Sequence, residues 1–221
     1  PFAENFELNT AKWSIINPDN DQTWKLQLSN KCEDTDMFSF YVNSYNYYNL
    51  NQYDYAYTRL DLNTYTNAAL NFDVAYCQAG ASYTDGLRVI VSTNCGETFK
   101  EVYNKKGSSL ATKSGYCTST FIPANCDEWR TETLGLSAYA GGEVLIGFEA
   151  FSENGNNIYI DNISITGTQT IICDPPTKLA AGNITQVSAQ IAWETTEITP
   201  THTLRYRPFG QDEWKYIYNI S

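Results

Sequence analysis

Apolar residues recur at every second position along most of the chain, and stretches with helical period are rare. Leu70, Phe72, Val74 and Tyr76 share one strand face, Leu87, Val89 and Val91 share another, and Val144, Ile146 and Phe148 a third. Such alternation buries one face of a strand and leaves the other outward. Residues 24–28, 38–42, 99–103, 129–136 and 159–166 read as further strands. Between the first two clear strands, residues 78–86 end in Asp85-Gly86 and predict a hairpin-like connection. About ten short strands over roughly 165 residues predict an all-β fold, a two-sheet jelly-roll β-sandwich.

The pattern restarts after residues 167–176, where Cys173-Asp174-Pro175-Pro176 interrupts it. Two consecutive prolines cannot continue a central strand. The predicted division is a first domain at 1–167, a linker at 168–176 and a partial domain at 177–221. The Pro-Pro start, Trp193 at the end of one strand and Leu204-Arg205-Tyr206 in the next resemble the first half of a fibronectin type III (immunoglobulin-like) sandwich. Such a sandwich needs about 100 residues and seven strands. The resemblance therefore implies that the natural chain continues past Ser221.

Charge narrows the partners. There are 25 Asp and Glu against 14 Lys and Arg, a formal charge of -11. A nucleic-acid partner needs a basic footprint, so none is expected. No apolar run reaches the ~18 residues of a membrane-spanning helix. The chain starts at Pro1 without a signal peptide and reads as a mature or excised piece of an exported protein. A single histidine, His202, leaves little room for Ser-His-Asp, Cys-His, HExxH or multi-His zinc chemistry. No phosphate-cradling glycine motif occurs.

The six cysteines, Cys32, Cys77, Cys95, Cys117, Cys126 and Cys173, show no CxxC spacing, which disfavours a metal cluster and favours disulfides in an exported chain. Cys117 and Cys126 are close in sequence and form the expected pair, whereas Cys77 and Cys95 are awkwardly placed for one. Five cysteines in the first domain leave one unpaired, and free buried thiols are the alternative to further bridges.

Three segments carry candidate chemistry. Asn17-Pro18-Asp19-Asn20-Asp21-Gln22-Thr23-Trp24 alternates carboxylates and amides in a turn, hard oxygen donors suited to Ca²⁺. In Tyr159-Ile160-Asp161-Asn162-Ile163-Ser164-Ile165, parity puts Asp161 with Ile163 and Ile165 against the core, where a carboxylate is costly without a cation or several donors. A bulge would move it, because Ile158 and Ile160 have the opposite parity. The stretch 41–57 is rich in Tyr and Asn, and Tyr45, Tyr47, Tyr48, Tyr53 and Tyr55 are its candidate ligand contacts, for a glycan or for an extracellular protein. The plainer reading is that these tyrosines only cover a sheet. A glycosidase would need two carboxylates about 5–9 Å apart. No Glu-x-Asp-x-Glu strand is present, and Glu149 and Glu153 read as solvated.

Taken in order, Phe2-Ala3-Glu4-Asn5-Phe6-Glu7, Trp13, the turn from Asn17 to Trp24, Leu70-Asn71-Phe72-Asp73-Val74-Ala75-Tyr76, Asp85-Gly86-Leu87-Arg88-Val89, Val91-Ser92-Thr93-Asn94-Cys95-Gly96-Glu97-Thr98-Phe99, Trp129-Arg130, Leu136-Ser137-Ala138-Tyr139-Ala140-Gly141 and Gly155-Asn156-Asn157-Ile158-Tyr159-Ile160-Asp161-Asn162-Ile163 resemble the MAM-like choice-of-anchor J jelly-roll domains. The resemblance covers residues 1–167 and is nearest to the copies behind the catalytic domain of secreted cytophagalysin-type metalloproteases of Bacteroidota. It extends more distantly to gingipain cleaved-adhesin domains. It implies a sandwich with structural calcium, export by type IX secretion to the extracellular space or bacterial cell surface, and an adhesive or accessory role without catalysis. Carried over, Glu7, Asp19, Asp21 and Asp161 become the Ca²⁺ ligands. The cysteines Cys117 and Cys126 and the Tyr/Asn insertion at 41–57 depart from the pattern.

The expected function is thus a non-catalytic, calcium-stabilised binding or adhesion module joined to further domains of a large bacterial protein. The alternative is an accessory C-terminal region of a secreted metalloprotease whose catalytic domain precedes Pro1. A stand-alone carbohydrate-active enzyme is disfavoured by the missing carboxylate pair.

Overall fold

The computed structural model describes residues 2–29, 37–47, 51–170, 176–194 and 202–220. The chain divides into two units, Pro1–Thr170 and Ile171–Ser221. The first holds β1 (Ala3–Glu4), β2 (Ser14–Ile16), β3 (Lys25–Leu28), β4 (Phe38–Val42), β5 (Gln52–Asp61), β6 (Tyr65–Tyr76), β7 (Gly86–Ser92), β8 (Lys100–Lys106), β9 (Arg130–Gly135), β10 (Glu143–Ser152) and β11 (Ile158–Gln169). One sheet has the order β3-β4-β11-β6-β9 with β1 added on β11, and the other has the order β2-β5-β10-β7-β8. The fold is an all-β jelly-roll sandwich. Its core is the set that alternation marked: Leu70, Phe72 and Val74, Leu87, Val89 and Val91, and Val144, Ile146 and Phe148 lie in one buried cluster between the sheets. Phe72 of one sheet meets Phe148 of the other edge-on, with ring centroids 5.2 Å apart.

The segment 78–86 is not a hairpin. It joins β6 in one sheet to β7 in the other. The reason lies in Asp85, which is buried and accepts hydrogen bonds from the backbone N–H of Glu153, Gly155 and Asn156 and from the Tyr76 hydroxyl. These contacts tie the end of the segment to the connection between β10 and β11.

Asp161 is buried, but not on the side that simple parity gives. The β11–β6 register shifts between Asp161 and Ser164, and Asn162 takes φ 47°. This bulge flips the strand. Ile158 and Ile160 face the core before it and Ile163 and Ile165 after it, so Asp161 lies beside Tyr159 and opposite Asp73 on the outer side.

That outer side has a small core of its own. Tyr41, Ala75, Cys77, Phe121 and Tyr159 are buried together, with Cys117 and Trp129 packed against them. The segment between β8 and β9 forms the cover. Cys77 bonds Cys117, so the expected Cys117–Cys126 bridge does not form. The covering segment returns along the end of β6, and Cys117 N–H donates to the Gln78 carbonyl at 2.9 Å, which brings these two sulfurs together. Cys126 is also disulfide-bonded, and Cys95 is free and exposed. Cys32 and Cys173 lie outside the described residues.

The second unit holds two antiparallel hairpins, β12 (Thr177–Gly182) with β13 (Gln190–Glu194) and β14 (His202–Tyr206) with β15 (Lys215–Ile220). None of its described residues is buried, and Leu179, Val187 and Phe209 are open to solvent. His202 stands edge-on to Trp193, with centroids 5.6 Å apart.

Candidate binding face and acidic turn

The most organised candidate lies on the outward side of the β2-β5-β10-β7-β8 sheet. Along β5 the even positions Asp54, Ala56, Thr58 and Leu60 point inward and are buried. The odd positions Tyr53, Tyr55 and Tyr57 therefore point outward, and all three are half-buried. Their rings run nearly parallel, Tyr53 to Tyr55 at 6.4 Å and Tyr55 to Tyr57 at 5.9 Å, and Phe99 continues the row at 5.5 Å from Tyr57. Cross-strand register then sets their neighbours. Tyr53 is opposite Phe151, Tyr55 opposite Glu149, and Tyr57 opposite Gly147. A Cβ at Gly147 would collide with the Tyr57 ring, so the missing side chain lets that tyrosine lie close over the sheet.

Glu149 is 2 % exposed and sits in register with Arg88 of β7. Arg88 Nε donates to Glu149 Oε2, the one hydrogen bond Glu149 receives among the described residues. The guanidinium lies 4.9 Å from the Tyr53 ring centroid and 3.8 Å from a carboxylate oxygen of Glu101. Burial raises the Glu149 carboxyl above its ordinary range, and the bond to Arg88 opposes that shift. Tyr57 is pushed up to about 12, first by burial and then by the charge on Glu149. Glu149, which the sequence left as solvated, is thus a buried carboxyl bonded to one guanidinium and in register with Tyr55.

The second candidate is the acidic turn. Asp21 N–H donates to Asp19 Oδ1 at 3.0 Å, and Asn17 Oδ1 accepts from Asn20 N–H at 2.9 Å. The Tyr47 hydroxyl lies 2.9 Å from Asp19 Oδ2 and 2.7 Å from Asp54 Oδ2, and Trp24 Nε1 donates to the Asp54 carbonyl at 3.0 Å. Asp54 is 1 % exposed. Burial pushes its carboxyl up to about 6, opposed by the Tyr47 and Thr23 hydroxyls and helped by the nearby charges of Asp19 and Asp21. The Tyr47 phenol is raised in turn, mainly by burial and by its hydrogen bonds to Asp54 and Asp19.

The four carboxylates carried over as calcium ligands do not meet. Among the described residues no three His, Cys, Asp or Glu side chains stand together as a metal group. Glu7 Oε1 instead accepts the N–H groups of Met37 and Phe38 at 2.8 and 2.7 Å, at the start of β4. Asp161 accepts its neighbour's N–H at the bulge. Asp19 and Asp21 share the turn, and Asp54 joins them from β5. The oxygens there are hard donors of the kind a Ca²⁺ site uses, though among the described residues the three carboxylates do not close into a metal group.

The candidate tyrosines separate as well. Tyr53 and Tyr55 lie in the outward row. Tyr47 is buried with its hydroxyl engaged, so it is no surface contact. Tyr45 sits half-buried in a short 3-10 turn, and Tyr48 lies outside the described residues. Sequence reasoning missed Tyr57, Phe99, Arg88 and Glu149. The period-2 run through Tyr57 was a usable signal, but Arg88 and Glu149 are 61 positions apart and meet only through sheet register.

No protein-family profile matches the chain, and no curated protein matches it. Solved structures do. The K3 cleaved adhesin domain of Lys-gingipain from Porphyromonas gingivalis aligns with a TM-score of 0.54 at 20% identity, covering 76% of this chain and 98% of that domain. The K2 domain aligns at 0.53 and 21% with the same coverage, and the K1 domain at 0.53 and 20%. This chain is therefore similar in fold to the gingipain cleaved adhesin domains, over a share of its length that fits within its first unit.

Proposed function

We propose that this chain is a non-catalytic binding module of a larger extracellular or surface-attached bacterial protein. The outward row of Tyr53, Tyr55, Tyr57 and Phe99 is its contact surface. The observation that carries the reading is that this row is left partly open while the other large aromatic cluster of the unit is covered by its own chain. Aromatic rings held at low entropy cost are the usual anchors of recognition surfaces. The adhesin fold of the similar structures supports the same role. The carboxylates Asp85, Glu128 and Glu132 are each engaged by several donors, which suits structure better than catalysis. In this reading the second unit begins a fibronectin type III domain, and the ligand is a glycan or an extracellular protein.

Calcium belongs to the proposal. Asp19 and Asp21 would hold it at the turn, with Asp54 beside them. A bound cation there stabilises the fold by offsetting three neighbouring carboxylates. Asp21→Ala should lower the melting temperature in calcium and leave it nearly unchanged in EGTA. Equal loss in both media would remove the metal from the turn.

The binding role is tested with the full chain on arrays of glycans and extracellular matrix proteins, in calcium and in EGTA. Wild type should bind at least one ligand, and a Tyr55→Ala/Tyr57→Ala double variant with an intact circular dichroism spectrum should not. Silence from folded wild-type protein on both arrays would overturn the reading in favour of a spacer.

A further inference from the structure

The geometry points to a specificity anchor inside the aromatic face: Arg88 and Glu149 together select an uncharged sugar chain with neighbouring hydroxyls. This rests on the aromatic face being the contact surface, and adds to it the class of ligand and the residues that choose it.

Glu149 receives fewer donors than three other carboxylates of the unit, Asp85, Glu128 and Glu132. Asp85 is satisfied by three backbone N–H groups and a phenol, and Glu132 accepts from Lys105, Arg130 and Tyr103. Glu128 takes both Lys113 and the Ala124 N–H. Glu149 has Arg88 alone among the described residues, through Oε2, and Oε1 accepts nothing. The Glu149 side chain keeps 3 % of its surface open to solvent. An ion pair with one enclosed partner is a weak stabiliser, and an apolar pair of similar volume often serves as well in such a place. Its presence amid tyrosines is therefore better explained by recognition than by folding.

The chemistry of the pair fits hydroxyls. A hydroxyl group both donates and accepts, so it is matched by a carboxylate oxygen next to a guanidinium. Arg88 uses Nε in its bond to Glu149, its Nη1 lies 3.8 Å from Glu101, and its side chain remains 32 % exposed, so its terminal N–H groups are not committed to Glu149. Beside the pair lie the rings of Tyr53, which the guanidinium overlies, and Tyr55, whose half-exposed surfaces offer apolar contact to the C–H groups of a sugar ring. Four rings in succession offer more than one sugar-sized contact, so the ligand is a chain and not a single sugar. Charge decides against an acidic chain. Glu149 already neutralises Arg88, Glu101 stands 3.8 Å from the same guanidinium, and the protein as a whole carries -11.

Calorimetry and affinity electrophoresis of the full chain would use soluble xylan, mixed-linkage glucan, glucomannan and galactan as neutral probes, with polygalacturonate and alginate as acidic ones. At least one neutral chain should bind, and neither acidic one. Glu149→Gln should weaken that binding tenfold or more while the circular dichroism spectrum stays that of folded protein, and Arg88→Lys, which keeps the charge, should do likewise. Three results would overturn the anchor. One is full affinity in Glu149→Gln and Arg88→Lys while Tyr55→Ala abolishes binding, which leaves the aromatic face standing without it. Another is a preference for the acidic chains. The third is silence toward every polysaccharide while a protein ligand binds through the tyrosines. Silence toward sugars and proteins alike would take down the reading of the face as well.

Discussion

Both sheets of the first unit carry aromatic residues on their outer sides, and the two sides end differently. On one, Tyr41 and Tyr159 stack at 5.2 Å and are buried, because Phe121 and Trp129 from the segment between β8 and β9 close over them. The cover is fastened by the Cys77–Cys117 bond and by Tyr159 and Asn157, which donate to the Phe121 carbonyl at 2.9 and 3.2 Å. On the other, Tyr53, Tyr55 and Tyr57 stack in a comparable way and remain half-exposed. The same residue type at the same parity thus builds a satellite core on one sheet and an open shelf on the other. What separates them is a covering segment, and a shelf without one is where a ligand can take the cover's place.

The sharpest way to break the contrast is to remove the cover. Phe121→Ala should destabilise the first unit by about 3–5 kcal/mol, the usual cost of deleting a buried phenylalanine. Tyr55→Ala on the open shelf should cost only about 1 kcal/mol, because a half-buried ring returns less on folding. Urea denaturation of the two variants measures both, and equal losses would mean that the shelf is as structural as the satellite core.

Next in size is the clasp. Cys77→Ser, which opens a link between residues 40 apart, should cost about 2–4 kcal/mol. Hydrogen exchange should rise first in residues 111–129 and leave the amides of β5, β7 and β10 protected, which locates the loss on the covered side.

The smallest effect is electrostatic and concerns the rim of the open sheet. Asp54 has an ordinary pKa of 3.8 and a folded value of about 6, raised chiefly by burial. The fold therefore holds the Asp54 proton more tightly than the unfolded chain does. Its favourable contribution is complete below about pH 4 and is lost as pH rises through 6, on the order of 2–3 kcal/mol in all. In EGTA, wild type should lose stability over that window relative to Asp54→Asn. Calcium favours the ionised carboxylate, so saturating calcium should flatten or reverse the slope. A slope identical in both proteins would assign the titration to another group.

Legibility followed the range of the interaction. Alternation gave the strands at 70–76, 87–91 and 144–148 and the residues that fill the space between the sheets, because period 2 is a local property of an extended chain. It misplaced Asp161, since one bulge at Asn162 reverses parity for the rest of β11. It read 78–86 as a hairpin, since an Asp-Gly turn looks the same whether the next strand pairs with the last or crosses to the facing sheet. Proximity in sequence favoured Cys117–Cys126, whereas the path of the covering segment brought Cys77 to Cys117.

The candidate sites divide in the same way. Asp19, Asp21 and the Tyr53–Tyr55 pattern were readable, being turn chemistry and period-2 spacing. Asp54 entering the acidic turn from β5, and Arg88 meeting Glu149 across β7 and β10, were not. By itself the sequence determined that this chain makes antiparallel sheets with a shared apolar core, that its surface is acidic, and that its tyrosines lie on sheet faces. Only the tertiary structure decided which faces are covered, which sulfurs join and which carboxylates are left with a single partner. The physical reason is that local patterning fixes the side a residue faces, while what it meets there is supplied by segments tens of residues away.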